Sequence, residues 1–144
     1  MAGRSEKGAA GRAEMAQWLF DNSRDLMQVV SPTGELLEVN RAWTEFTGLS
    51  EAELVGRSVF DFCHPDECPG IKQRADRSQP GETSEAEVRL RNRHGAWVWM
   101  HARRQVMETG AHIGAMRDIS AEIAYRAEIE EARRTRKLLG AQAG

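Results

Sequence analysis

No stretch of this 144-residue chain approaches the roughly 18 consecutive apolar residues that a membrane span needs, so no membrane contact is expected. Cysteine is scarce. Cys63 and Cys68 stand five positions apart, too tight a loop for the disulfide framework of a secreted domain, and a reducing, cytoplasmic setting is expected. Charge of neither sign dominates: 20 Lys and Arg face 22 Asp and Glu, a formal net charge of −2. The basic stripe that marks a nucleic-acid-binding face is therefore missing, and no nucleic-acid partner is expected. There is also no glycine-rich phosphate loop, no nucleophile paired with a base and no carboxylate pair suited to a cleft. The chain reads as a non-enzyme, with any catalysis placed in an output domain outside it.

What is present suffices for one ordinary core, since 40% of the residues are hydrophobic and 29% charged. Residues 1–12 mix Gly and Ala with alternating charges and have no apolar segment, so they read as a disordered lead-in. Met15, Trp18 and Leu19 then follow helical spacing over 13–20. Two β-rich runs, 26–30 and 35–39, are joined by Ser31-Pro32-Thr33-Gly34, a turn in which Pro presets φ and Gly takes a positive φ. Asn40 can cap a helix carrying Trp43 and Phe46, and Gly48 stops it. Ser50-Glu51-Ala52-Glu53 has the capping-box pattern. Pro65-Asp66-Glu67 suits the first turn of a further helix. Residues 83–91 alternate strictly, with Ala86, Val88 and Leu90 on one face. Two more strands follow at 96–106 and 112–117, and a helical pattern runs from Ser120 to about Leu139. Helices set to one side of an antiparallel sheet make an α+β arrangement.

Asp21-Asn22-Ser23, Ser31-Pro32-Thr33-Gly34, Thr47-Gly48-Leu49-Ser50, His64-Pro65-Asp66, Trp97-Val98-Trp99 and Arg117-Asp118-Ile119-Ser120 together resemble the PAS (Per-Arnt-Sim) sensor domain over residues 13–120. The resemblance implies a five-stranded antiparallel sheet with short helices over one face, a small-molecule cavity between them, and flanking N-terminal and C-terminal helices. Residues 121–144 would then be a signalling helix or linker. The Trp-x-Trp strand looks most like the bacterial branch found in sensor histidine kinases of two-component systems and in cyclic-dinucleotide enzymes.

Strand alternation and the family pattern together direct Val88, Leu90, Met100 and Met116 into that cavity, with Val59, Phe62 and Ile71 from the helical side. Gln28 and His112 are the polar side chains of the same parity. The ligand expected of such a lining is small and apolar. Flavin is rejected: the position matching the photoadduct cysteine of light-oxygen-voltage domains is Val59, and those matching the ring-reading amides are Leu90, Met100 and Met116, which cannot supply the hydrogen bonds. The helix after Pro65 lacks the histidine of heme-binding relatives. Cys68-Pro69 is only a loose heme pattern, set beside Asp66 and Glu67. Cys63, His64 and Cys68 lack a nearby fourth ligand for zinc, and no metal is expected.

Trp97 and Trp99 share the outer face of the sheet and require a cover, either the helix bearing Met15, Trp18 and Leu19 or the same elements of a second subunit. A homodimer is expected through these five residues. Arg117, Asp118 and Ser120, whose hydroxyl suits an N-cap, form the expected relay into the last helix. The reading is a sensory and dimerisation module. A purely structural dimerisation domain with a filled core, or a heme or redox sensor using Cys68 or His112, remain the alternatives.

Overall fold

The computed structural model describes residues 2–143. Helix α1 (Ala2–Asn22) leads into a hairpin of β1 (Leu26–Val30) and β2 (Leu36–Val39), followed by α2 (Arg41–Thr47), α3 (Glu51–Leu54), a 3-10 turn (Val59–Phe62) and α4 (Cys68–Arg77). Three strands then run in succession, β3 (Thr83–Arg91), β4 (Trp97–Val106) and β5 (His112–Asp118), before α5 (Ser120–Ala143). The strands form one antiparallel sheet in the order β2-β1-β5-β4-β3. This is the expected α+β architecture. No helix among the described residues is long and apolar enough to cross a membrane.

The turns follow their chemistry. Gly34 has φ +95° and its α-carbon faces Phe60 so closely that a Cβ would lie 2.8 Å from the ring. Gly48 ends α2 at φ 74°, its N–H donating to the Thr44 carbonyl. Ser50 and Glu53 complete the capping box.

Three local expectations are corrected. Residues 2–12 are helical rather than a disordered lead-in. Ala9, Ala10 and Ala13 are strong helix formers with no proline among them, and the pattern continues smoothly into the apolar positions. Met1 lies outside the described residues. Helix α4 starts at Cys68 and not at Pro65, with Pro69 in its first turn. Asn40 stands at the N-cap of α2 but makes no capping bond there. Its side chain instead accepts from the Met27 amide (3.0 Å) and donates to the carbonyls of Phe20 and Asp25 (both 2.9 Å), tying the end of α1 to β1.

The core lies between the inner sheet face and the short helices. Trp43, Leu36, Leu54 and Met100 are its most enclosed side chains. Trp43 meets Phe62 edge-on, ring centres 5.6 Å apart, and its indole N–H donates to the Gln28 side-chain oxygen at 3.0 Å.

Candidate ligand cavity and signalling junction

A cavity of about 140 Å³ opens between the inner sheet face and α4, near the β1–β2 turn. Of the nine residues assigned to it from the sequence, Gln28, Val59, Ile71, Val88, Leu90, His112 and Met116 do line it. Phe62 and Met100 do not. Phe62 turns onto Trp43, and Met100, 1% exposed, sits further along β4 opposite Asp118, inside the closed core. Alternation fixes the face of a strand residue, not its distance from an opening at one end of the sheet.

The wall includes residues that the sequence reading left out, among them Cys63, Ser84, Ala86 and Arg104. Arg104 shares the parity of Met100 and Ala102, so alternation alone places it inward. Cys63 stands in the wall as well. Burial and the neighbouring Cys68 thiol push its pKa up to about 12, so it stays a neutral, poorly nucleophilic side chain. Cys68 lies outside the cavity wall, its Sγ 3.9 Å from the Phe60 carbonyl, which removes it as an axial ligand directed into the cavity.

The polar end of the cavity is organised across three strands. Arg104 pairs with Gly114, and Gly114 with Gln28, so the three form one row over β4, β5 and β1. The Arg104 guanidinium donates from Nε to Ser84 Oγ (2.7 Å), from Nη2 to Ser78 Oγ (3.3 Å) and from Nη1 to His112 Nδ1 (3.1 Å). Since a guanidinium only donates, His112 Nδ1 is the acceptor. Burial and then the Arg104 charge hold the His112 pKa below its ordinary value, which keeps the imidazole neutral. Burial and the nearby Arg74 likewise push Arg104 down, with Glu82 pulling the other way. Among the described residues no carboxylate pairs with Arg104 within 4.0 Å.

The His64-Pro65-Asp66 segment serves the edge of the sheet. On edge strand β3, the Arg89 amide donates to Glu67 Oε1 (3.0 Å), while the Arg89 carbonyl accepts from the His64 amide (3.0 Å). The Arg89 guanidinium grips Glu67 at 2.6 Å and Asp66 at 3.1 Å. That bond to Arg89 lowers the Glu67 pKa. His64, Asp66 and Glu67 lie close enough to suggest a metal site, but the Arg89 cation already occupies their carboxylates. An edge strand whose free backbone groups are capped this way is blunted against pairing with another sheet.

On the outer face the two tryptophans meet side chains of β3 and of the segment before α4. Trp97 meets His64 edge-on at 4.6 Å with the Arg91 guanidinium 5.9 Å away, and Trp99 lies under Arg89 at 4.8 Å. Met15, Trp18 and Leu19 remain 51 to 63% exposed on α1.

At the junction, Asp118 accepts both the Ser120 amide (2.8 Å) and its hydroxyl (2.6 Å), so the capping acceptor is the aspartate rather than the expected serine oxygen. The anchor is Ile119, 2% exposed, whose amide donates to the Trp99 carbonyl. Arg117 is exposed at the end of β5. Nearly two turns into α5, Arg126 clasps Glu87 of β3 with both terminal guanidinium nitrogens (3.1 and 2.9 Å).

A five-stranded sheet enclosing a cavity and handing its central strand to an exit helix defines a sensor-type α+β domain. Residues 36–115 match the family described as PAS fold, and the chain belongs to the PAS family. The chain is 23% identical over 101 residues to White collar 1 protein of Neurospora crassa, a match covering 68% of this chain and 9% of that protein. Thus the matched stretch is about a tenth of this curated relative's length. Among solved structures, the PAS domain of an HTR-like protein from Haloarcula marismortui superposes with a TM-score of 0.68 at 24% identity, covering 81% of this chain and 98% of that one. The PAS domain of the RpfR quorum-sensing receptor of Cronobacter turicensis, in complex with BDSF, gives 0.61 at 25% identity, covering 69% and 97%.

Proposed function

We propose that this chain is the sensory module of a signalling protein, binding a small ligand in the cavity between the sheet and α4 and passing the change to an output domain through α5. The observation that carries this reading is the continuity of β5. His112 and Gly114 at one end of the strand line the cavity, and Asp118 at the other end caps the exit helix. The similarity to a ligand-bound quorum-sensing PAS domain supports it. The output domain is of the sensor-kinase or cyclic-dinucleotide type, and this chain contributes no catalysis. Two arrangements of the Ile119 anchor, favoured differently by empty and filled cavities, are what such a relay requires.

The module works as a cytoplasmic homodimer. The exposed Met15, Trp18 and Leu19 stripe supports this, since a second copy would bring the same stripe to a twofold contact. Light scattering across a concentration series tests it: Trp18→Glu should shift the protein to monomer, and a wild type already monomeric at high concentration ends the dimer reading. For the ligand, native mass spectrometry with a visible spectrum is decisive. A retained apolar metabolite supports sensing, whereas a Soret band would replace it with heme. A bare mass together with no saturable change in amide chemical shifts on adding small apolar probes would leave a purely structural domain.

A further inference from the structure

The polar end of the cavity carries donors that the protein does not use. A guanidinium has five N–H donors, and three of those on Arg104 are spent on Ser84, Ser78 and His112, all of them neutral acceptors. Two remain. The half-buried cation has no counter-ion within salt-bridge distance among the described residues, and a partly desolvated charge left unpaired is costly. The other charges at the wall do not supply one. Glu85 is engaged by Arg103 at 3.3 Å, Asp76 shares α4 with Lys72 and Arg74 at the mouth, and Glu82 acts on Arg104 only from beyond 4.0 Å.

A second, independent feature lies next to Arg104 in the same row. Gly114 has no room for a side chain: a Cβ there would come within 2.8 Å of Gln28 Nε2 and 2.9 Å of the Arg103 carbonyl oxygen, so the Gln28 amide lies over the glycine, with the Arg104 Cβ 3.5 Å from the same point. Gln28 Oε1 is held by the Trp43 indole, which leaves the amide nitrogen over Gly114 with no protein acceptor among the described residues. Arg104 and Gln28, each with spare N–H donors, therefore both line the cavity. Two oxygens of one planar anion satisfy such a pair, because a carboxylate accepts bidentately from charged and neutral donors alike.

We propose that the cavity takes a small organic carboxylate, its head at the polar end beside Arg104 and Gln28 and its apolar body against Val59, Ile71, Val88 and Met116. The inference rests on the cavity being a ligand site at all. Size restricts the ligand further. A dry chamber of about 150 Å³ holds a benzene-sized molecule, and this one measures about 140 Å³. The body is thus on the scale of a benzoate ring or a hexanoate chain. His112 and the two serines act as positioning residues, holding the guanidinium by the edge the ligand does not use.

Calorimetric titration of the 144-residue chain with hexanoate and with hexanol separates head from body. Charge-assisted hydrogen bonds should make hexanoate bind at least about tenfold more tightly. Arg104→Met should abolish the preference for hexanoate over hexanol, and Arg104→Lys, which keeps the charge, should recover part of the difference. If Arg104→Met fails to fold, the wild-type comparison and its weakening by salt still decide. Equal affinities for the two probes would overturn the carboxylate inference and leave the apolar cavity standing. Binding by neither would overturn both.

Discussion

Replacing Asn40 by alanine tests whether one amide group joins the flanking helix to the sheet. The side chain is 2% exposed and makes three hydrogen bonds, accepting from Met27 and donating to the carbonyls of Phe20 and Asp25. Alanine leaves one N–H and two C=O groups without that partner in partly buried surroundings. At about 1 kcal/mol for each orphaned group, Asn40→Ala should cost about 3 kcal/mol, or roughly 10 °C in the melting temperature of a domain this size. Asn40→Asp keeps the acceptor for Met27 but sets an anion against two carbonyls, so it should rescue nothing. Urea denaturation supplies the free energy, and amide exchange of Met27 supplies the local readout. A loss below about 1 kcal/mol, or an unchanged Met27 amide, would refute the argument, because it would mean water replaces the side chain without cost.

Cys63, with its pKa pushed up to about 12, should resist iodoacetamide at pH 8 in the folded protein and react on denaturation, as followed by peptide mass mapping. His112 is held below its ordinary value near 6.5, so the unfolded chain takes the proton first, and stability should decline as pH falls through 6.5 toward the folded value. Chemical denaturation at pH 7.5 and 5.5 should show a smaller decline in His112→Gln, in which an acceptor for Arg104 is kept without the titration. Glu87→Gln removes the clasp on Arg126, and amide exchange should quicken in the first turns of α5 while the sheet core stays protected; uniform exchange throughout would show that the clasp does not hold the helix.

Much of the strand architecture was legible because alternation and turn chemistry act locally. Thr83–Arg91 reads as a strand from its own side chains, and Gly48 and Ser50 mark helix ends from a few residues. What escaped depends on contacts distant in sequence. Nothing near Pro65 says that His64 and Glu67 will seize Arg89 on β3, more than twenty positions on, so the segment reads as a helix start. Asn40 likewise looks like a cap because its three partners lie 13 to 20 residues before it. For the cavity, parity chose the inward face correctly for Val88, Leu90 and Met116. It could not tell that Met100, on the same face, is sealed in the core, or that Ser78, Ser84 and His112 would offset the cost of burying Arg104.

The direct run from β5 into α5 has a mechanical consequence. Only Ile119 separates the strand from the helix, so the joint has almost no slack, and the helix of 24 residues extends about 36 Å from it at 1.5 Å per residue. The joint is a fulcrum. A tilt of about 5° there would sweep the far tip through about 3 Å, beyond the 1–2 Å helix shifts that suffice at many subunit interfaces. A displacement at the cavity end of β5 too small to disturb the core would therefore reach the far tip of the helix amplified.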